Sequence, residues 1–320
     1  MTSPITVGID VSKDKLDVAF SDRKKVFVVN QTPRALQSLV DKLQQRQVFR
    51  IIIEASGGYE RAVLKLIHAH DLPVVLIQPN RARHYAKATG QHAKTDAIDA
   101  KVLAAMGETL GHKMRLWHPP SEQVNELREL VQRRDQISEM IARETLRLER
   151  SSGFVRLSIE RSLKNLSEEK TALSKEIADV VAKSTELSES THCLMEVKGV
   201  GLFTAAVLVS ILPELGMLNR RQVAALAGLA PFTQASGKWK GEVHISGGRW
   251  RVRKALYMAT VSGIRHNPVI RAHYKHLKEQ GKKPKVAIAA CMRKLLIHLN
   301  SIMRQHRMTC EAAPPIAEAA

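Results

Sequence analysis

Aromatic side chains make up only 4% of this 320-residue chain, and it holds just three cysteines, Cys193, Cys291 and Cys310. Their odd number and wide spacing exclude a disulfide framework and a paired-cysteine metal knuckle, so all three read as reduced and structural. Long apolar runs are missing as well. The longest, Thr204–Leu212, stops at Pro213, far short of the roughly 20 residues a membrane span requires. The start, Met1-Thr2-Ser3-Pro4, has neither a basic region nor an apolar stretch of the kind an export signal uses. No membrane partner is expected, and the cytoplasm is the expected compartment.

Acidic residues are scarce in one region. From Lys238 to Cys310 there are 17 lysines and arginines against only Glu242 and Glu279, so this stretch carries +15 of the formal net charge of +19. Charge so concentrated points to a phosphate-bearing partner rather than to solubility alone. Hydrophobic residues, at 44%, suffice for a real core, and the length suits about two domains.

Alternating apolar residues predict strands over 5–10, 15–20 and 25–30, an antiparallel meander joined by turns. Thr32-Pro33 opens a helix with an apolar stripe at Leu36, Leu39, Val40 and Leu43. A buried strand over 49–54, a helix over 59–70 and a strand over 74–77 follow, then a helical pattern from Arg81 to Leu110. Alternating strands and helices imply a mixed α/β sheet covered by helices. Trp117-His118-Pro119-Pro120 breaks the pattern as a linker would. Beyond it, Leu127, Leu130, Ile137 and Ile141, then Leu166, Leu173, Ile177, Val180 and Leu187, keep 3/4 spacing. This predicts two long helices separated at Ser151-Ser152-Gly153, a helical coiled-coil hairpin whose seam needs its other arm or a second subunit. The domain boundaries so drawn are 1–115, 116–190 and a basic, mostly helical 191–310, with 311–320 a disordered tail.

Asp10 and Glu54 end two of the expected strands, the end at which open α/β sheets place their sites. Asp96 and Asp99 lie three apart in a helical stretch and so share a face. Like charges gathered in this way suit a hard divalent cation, and a pair of such ions can activate a nucleophile and stabilise a leaving oxygen on phosphate. Asp96, directly after Thr95, fits equally well as an ordinary helix-start residue.

In the basic region, Ser236-Gly-Lys-Trp-Lys-Gly241 and Gly247-Gly-Arg-Trp-Arg-Val-Arg-Lys254 interleave Trp239 and Trp250 with Lys238, Lys240, Arg249, Arg251, Arg253 and Lys254. Such loops can stack on bases while neutralising phosphates. Glu196–Val207 reads as a helix, a glycine turn and a second helix, able to present backbone N–H groups to a phosphate. Ser246 precedes Gly247-Gly248, which by itself is a flexible turn.

The runs Gly8-Ile-Asp-Val-Ser-Lys13, Glu54-Ala-Ser-Gly-Gly-Tyr59 and Lys94-Thr-Asp-Ala-Ile-Asp-Ala100 resemble the DEDD transposase family, the Piv-type DNA invertases and related insertion-sequence transposases. The resemblance continues, in order, through Gly199-Val-Gly201, Leu226-Ala-Gly-Leu-Ala-Pro231 and Ile245-Ser-Gly-Gly248 to Arg253-Lys-Ala-Leu-Tyr-Met258. It implies a RuvC-like, ribonuclease-H-type N-terminal domain with Asp10, Glu54, Asp96 and Asp99 as catalytic acids and magnesium ligands. It implies that Ser246 is the nucleophile that links covalently to DNA. It also implies donor and target DNA as partners, a structured guide RNA in the insertion-sequence members, and a homo-oligomer, dimer or tetramer, at the nucleoid. Two other functions fit the residues: a metal-dependent RuvC-like nuclease or junction resolvase working with the four acids alone, and a non-catalytic nucleic-acid-binding protein.

Overall fold

Strand β1 (Ile5–Val11) lies at the centre of a five-stranded sheet, flanked by β2 (Lys15–Phe20) and β4 (Val48–Glu54). A computed structural model describes residues 4–91, 95–232, 235–236, 239–240 and 244–312 of the chain. The sheet order is β3-β2-β1-β4-β5, with β3 spanning Val26–Asn30 and β5 Val74–Ile77. β1, β2 and β3 pair antiparallel as the expected meander, while β4 and β5 run parallel to β1.

The period of two along each strand sorts its residues between two helical layers. Val7, Ile9 and Val11 of β1, Leu16 and Val18 of β2, and Ile51 and Ile53 of β4 are buried in one cluster with α1 (Pro33–Gln44) and α2 (Arg61–Ala69). Thr32 caps α1, its hydroxyl accepting from the Ala35 amide, and Leu36, Leu39, Val40 and Leu43 form the buried stripe. On the opposite face, Ile52, Val75 and Ile77 pack with Ala82 of α3 (Pro79–Ala88) and with Leu103 and Met106 of α4 (Asp96–Leu110). Residues 81–110, expected as one helical stretch, thus hold two helices. Trp117 donates its amide to the Val74 carbonyl at 2.8 Å and packs on the first layer, so the Trp117–Pro120 segment belongs to this unit, which ends at Pro120.

The second unit begins at Ser121, whose hydroxyl caps α5 (Glu122–Leu148). α5 and α6 (Gly153–Lys183) form an antiparallel hairpin, joined by an Arg133–Glu169 ion pair at 2.9 Å and an Arg134 to Ser174 hydrogen bond at 2.7 Å. Leu127, Val131, Ile177, Val180 and Val181 bury the base of the hairpin. The periodic run through Leu187 does not stay on one helix. The Ser184 hydroxyl accepts from the Leu187 amide and starts α7 (Thr185–Met195), so the boundary expected at 190/191 falls inside a helix.

The remaining helices are α8 (Leu202–Ile211), α9 (Arg220–Leu226), α10 (Trp250–His266), α11 (Pro268–Glu279) and α12 (Pro284–Ala312). Between α9 and α10 lie two short ribbons, β6 (Pro231–Phe232) with β9 (His244–Ile245) and β7 (Ala235–Ser236) with β8 (Trp239–Lys240). By length and composition α12 could cross a membrane from Pro284 to Thr309. A search for unbroken apolar runs passes over it because Arg293, Lys294 and His298 interrupt it. Its apolar face is core: Cys291, Met292, Leu295, Leu296, Leu299 and Met303 are buried in one cluster, and the helix packs against α7, α9, α10 and α11. Cys291 is a free thiol, pushed up to about 11 by burial, as suits an unreactive core residue. α12 continues to Ala312, two residues into the tail expected at 311–320, and the rest of that tail lies outside the described residues.

Candidate active site

Because Val7, Ile9 and Val11 face α1 and α2, Thr6, Gly8 and Asp10 must face α4. The parallel register sets Gly8 beside Ile52 and Ile9 beside Ile53, which brings Asp10 and Glu54 to adjacent strand ends on that face. The antiparallel register sets Asp17 directly across from Asp10. Three carboxylates from three strands therefore share the α4 side of the sheet.

α4 supplies the others in its first turn. Thr95 caps it, the hydroxyl accepting from the Ile98 amide at 3.3 Å, and Asp96 and Asp99 follow where the helix dipole favours negative charge. What brings that turn to the sheet is an unusually close approach of helix to strand. A Cβ on Gly8 would lie 2.1 Å from the Ala100 carbonyl oxygen and 2.4 Å from the Ala104 nitrogen. The Thr6 hydroxyl, two residues before, donates to the Ala104 carbonyl at 2.8 Å. The glycine of Gly8-Ile9-Asp10 is thus required by space, since its backbone φ lies outside the positive range.

The electrostatics record the crowding. Burial, then the charges of Asp99 and Asp96, push the Asp10 carboxyl from 3.8 up to about 6, against a lowering backbone hydrogen bond at Val11, with Asp17 adding to the rise. Glu54 and Asp99 line one small cleft of about 30 Å³ together with Arg83 of α3. The structure thus groups Asp10 with Asp96 and Asp99, and Glu54 with Asp99. Among the described residues, no three such groups converge closely enough to hold a metal ion as they stand. Like charges repel, and the Lys15 ammonium engages one of these acids, bridging Asp96 and the buried Asp17, each at 3.0 Å. Those hydrogen bonds, Asp17 first, hold Lys15 above its ordinary range.

Asp17 and Lys15 were missed by motif reading. The signal that could have found them is the meander itself, because a hairpin with two paired strands across Ser12–Asp14 puts residue 17 opposite residue 10.

In the second unit Ser246 is exposed, between β9 and the start of α10. Gly247 and Gly248 have φ of 65° and 67°, a left-handed pair that reverses the chain. This turn is pressed against Gly228, after α9. A Cβ on Gly248 would lie 2.1 Å from the Gly228 nitrogen, and one on Gly228 would lie 2.1 Å from the Gly247 carbonyl oxygen. The Arg249 amide donates to the Leu226 carbonyl at 2.7 Å, and the Arg253 guanidinium donates to the Gly247 carbonyl at 2.6 Å. The N-cap residue of α10, Arg249, makes no side-chain cap hydrogen bond, so among the described residues the first turn is not closed by its own cap.

Three other cations named from the sequence, Arg249, Arg251 and Lys254, have protein partners. Arg249 forks onto both Glu214 oxygens, at 2.5 and 2.7 Å, and donates to the Ile211 carbonyl. Lys254 pairs with Asp135 at 2.5 Å and Glu139 at 3.1 Å, and Arg251 lies 3.8 Å from Asp135. Trp250 is 43% exposed, with the Arg251 guanidinium 4.7 Å from its ring centre. Lys238 lies outside the described residues. Trp239 and Lys240 are described only as backbone in β8.

Comparison with known proteins covers most of the chain. Residues 7–151 match the family model of the DEDD transposases of the IS110 group, described as "Transposase", and residues 191–275 match "Transposase IS116/IS110/IS902 family". The "Pilin gene-inverting protein" of Moraxella bovis is 28% identical over 314 residues, 94% of this chain and 96% of its own length. That of Moraxella lacunata is 27% identical over the same shares. An "Insertion element IS110 uncharacterized 43.6 kDa protein" of Streptomyces coelicolor is 28% identical over 149 residues, 46% of this chain and 36% of its own length.

Proposed function

Because this chain belongs to the DEDD transposase family and is an enzyme acting on DNA, we propose that it cuts and rejoins DNA through a covalent phosphoserine intermediate at Ser246. The observation that carries this reading is the coexistence of two sites in one chain: acids gathered on the α4 face, and a serine exposed on a braced glycine turn. The strand order β3-β2-β1-β4-β5 supports a ribonuclease-H-type, RuvC-like first unit.

Asp10, Glu54, Asp96 and Asp99 are the residues that would hold magnesium. Their hard oxygens and the raised Asp10 carboxyl fit a divalent cation, which would supply electrostatic stabilisation of charge developing on phosphate. The Ser246 oxygen attacks the scissile phosphorus and loses its proton, forming a phosphoserine bond. The strand's 3′ oxygen leaves and takes up a proton. Attack by a 3′-hydroxyl of the exchanged strand on the phosphoserine reverses both changes and needs no external energy. Arg253, held on the Gly247 carbonyl, and the first amides of α10 stabilise the phosphate's charge from the serine side. Arg249, locked on Glu214, positions the turn.

The α5–α6 hairpin supports the coiled-coil reading, and its exposed Leu146, Phe154 and Leu157 supply apolar surface for a second copy. A guide RNA and action at the nucleoid in the cytoplasm complete the proposal.

Recombination of a donor–target plasmid pair carrying the flanking non-coding DNA, with trapping of protein-linked DNA, tests the serine. Ser246→Ala is expected to abolish both adduct and product. Normal recombination by Ser246→Ala beside a dead Asp10→Ala would mean that the acids act alone, as in a nuclease. Binding without cleavage by the wild type would leave a binding protein.

Lys15 gives a separate prediction. As a built-in counter-ion it competes for Asp96, so Lys15→Met is expected to lower, several-fold, the magnesium concentration giving half-maximal cleavage. A requirement for more magnesium would show instead that Lys15 holds Asp96 in its working position.

A further inference from the structure

The second unit holds a groove of about 1010 Å³ beside the Ser246 turn, to which none of the residues discussed above as catalytic or phosphate-binding contributes. One wall is the β6–β9 ribbon, through Pro231, His244 and Ile245, the last two directly preceding the serine. The other wall is α11 and α12, with the loop between them.

The chemistry of the lining has two parts. His244, His273, Lys282, Lys285, Arg293 and Lys294 are the titratable residues among those described that line the groove, and no acid is among them. Such a rim selects an anion. Val286, Ala290, Arg293 and Ile297 run along one face of α12, with Lys285 and Lys294 at its two edges, facing Ile245 across the groove. Val286 is 52% exposed and Ile245 38% exposed, apolar surface that water leaves uncovered. Burial, then the charges of Lys294 and His276, lowers the affinity of His273 for a proton, which favours a neutral, flat imidazole.

A surface that only followed the phosphates of a duplex would have no use for an apolar floor, because paired bases are hidden in their own stack. Unpaired nucleotides present both features at once, phosphates for the rim and base faces for aliphatic side chains, imidazoles and a guanidinium plane. We propose that this groove seats unpaired nucleotides of a nucleic-acid strand next to Ser246. The inference deepens the recombinase reading and rests on it for the direction in which the strand continues. Unpaired DNA at an opened crossover site and an unpaired segment of RNA share this chemistry.

The test is fluorescence anisotropy on the full-length protein with a labelled 12-nucleotide oligo-dT, a 12-nucleotide oligo-U and a 12-base-pair duplex. Wild type is compared with the double variant Lys285→Ala/Arg293→Ala and with Val286→Asp. Val286 and Lys285 are exposed, Arg293 is half-buried, and melting curves check that each variant is folded. Both variants are expected to weaken single-strand binding about ten-fold or more, and duplex binding less than about three-fold. The double variant should also flatten the salt dependence of single-strand binding by about two phosphate contacts. Preference for oligo-dT or oligo-U identifies the strand as DNA or RNA. Equal losses on duplex and single strands, or unchanged single-strand binding by folded variants, would overturn the proposal. Ser246→Ala serves to separate the two readings. If it recombines normally while the groove variants lose single-strand binding, the serine mechanism fails and the groove stands; if the groove variants keep their binding while Ser246→Ala is dead, the reverse holds.

Discussion

Asp10→Asn is expected to lose DNA cleavage by roughly a thousand-fold and at the same time to make the magnesium-free protein more stable at pH 7. The loss follows from removing one of the four acids that would hold the ion, whose stabilisation of phosphate charge is worth several kcal/mol, each ~1.4 kcal/mol being tenfold in rate. The gain follows from the carboxyl's titration. Its affinity for a proton is raised from 3.8 to about 6 by burial and by Asp99, Asp96 and Asp17. The folded protein therefore binds the proton more tightly than the unfolded chain, and stability contributed by the protonated form is lost as pH rises from about 4 through 6. Asn carries no charge at any of these pH values. The variant should melt above wild type at pH 7 and level with it below pH 4. Added magnesium should stabilise wild type and leave the variant unmoved. Thermal melts across pH, with and without the ion, check all three; a variant less stable than wild type at pH 7 would show that the cluster is not repulsive. Cleavage by wild type should rise with pH through about 6, as the proton ceases to compete for Asp10.

Gly8→Ala is expected to be the most damaging single methyl group in the first unit. The new Cβ would sit 2.1 Å from the Ala100 carbonyl oxygen and 2.8 Å from the Leu103 Cβ, contacts with helix backbone that no rotamer change relieves. Overpacking against backbone costs roughly 3 kcal/mol or more. Helix α4 can only move away from the sheet, which breaks the Thr6 to Ala104 hydrogen bond and carries Asp96 and Asp99 away from Asp10. Amide exchange of the full-length chain should show protection falling in β1 and α4 while the second unit is unchanged. The same displacement should return the Asp10 carboxyl toward its ordinary range. Unaltered protection in α4 would mean that the helix already has room.

Much of this was legible in the sequence because it rests on local periodicity. Alternating residues in 5–10 and the short apolar run in 49–54 announced both strands, and once the strands are parallel neighbours their terminal acids lie at adjacent strand ends. A helix start near Asp96 was one of the two readings the sequence offered, and the structure puts the cap one residue earlier, at Thr95. What was not legible depends on contacts between distant segments. Lys15 looks like one more surface lysine until the register of β1 and β2 places it between Asp17 and Asp96. Arg249 looks like a DNA contact until the fold brings Glu214, 35 residues earlier, against it. The heptad reading ran past Ser184 because Leu187 keeps the spacing, whereas a serine able to cap a new helix ends the old one. The groove beside Ser246 draws its lining from residues 229–297, and no local pattern announces it.

The seat of Asp10 at the middle of the sheet also bears on when the protein becomes active. β1 leaves the ribosome before the other four strands of its sheet, yet its Thr6 waits for Ala104, 98 residues later, before α4 can dock. Contacts so far apart in the chain close slowly, after the loop entropy between them has been overcome. A nascent chain with all five strands already exposed still lacks Asp96 and Asp99, so the acids proposed to hold the ion gather on the α4 face only once that helix has been synthesised and docked.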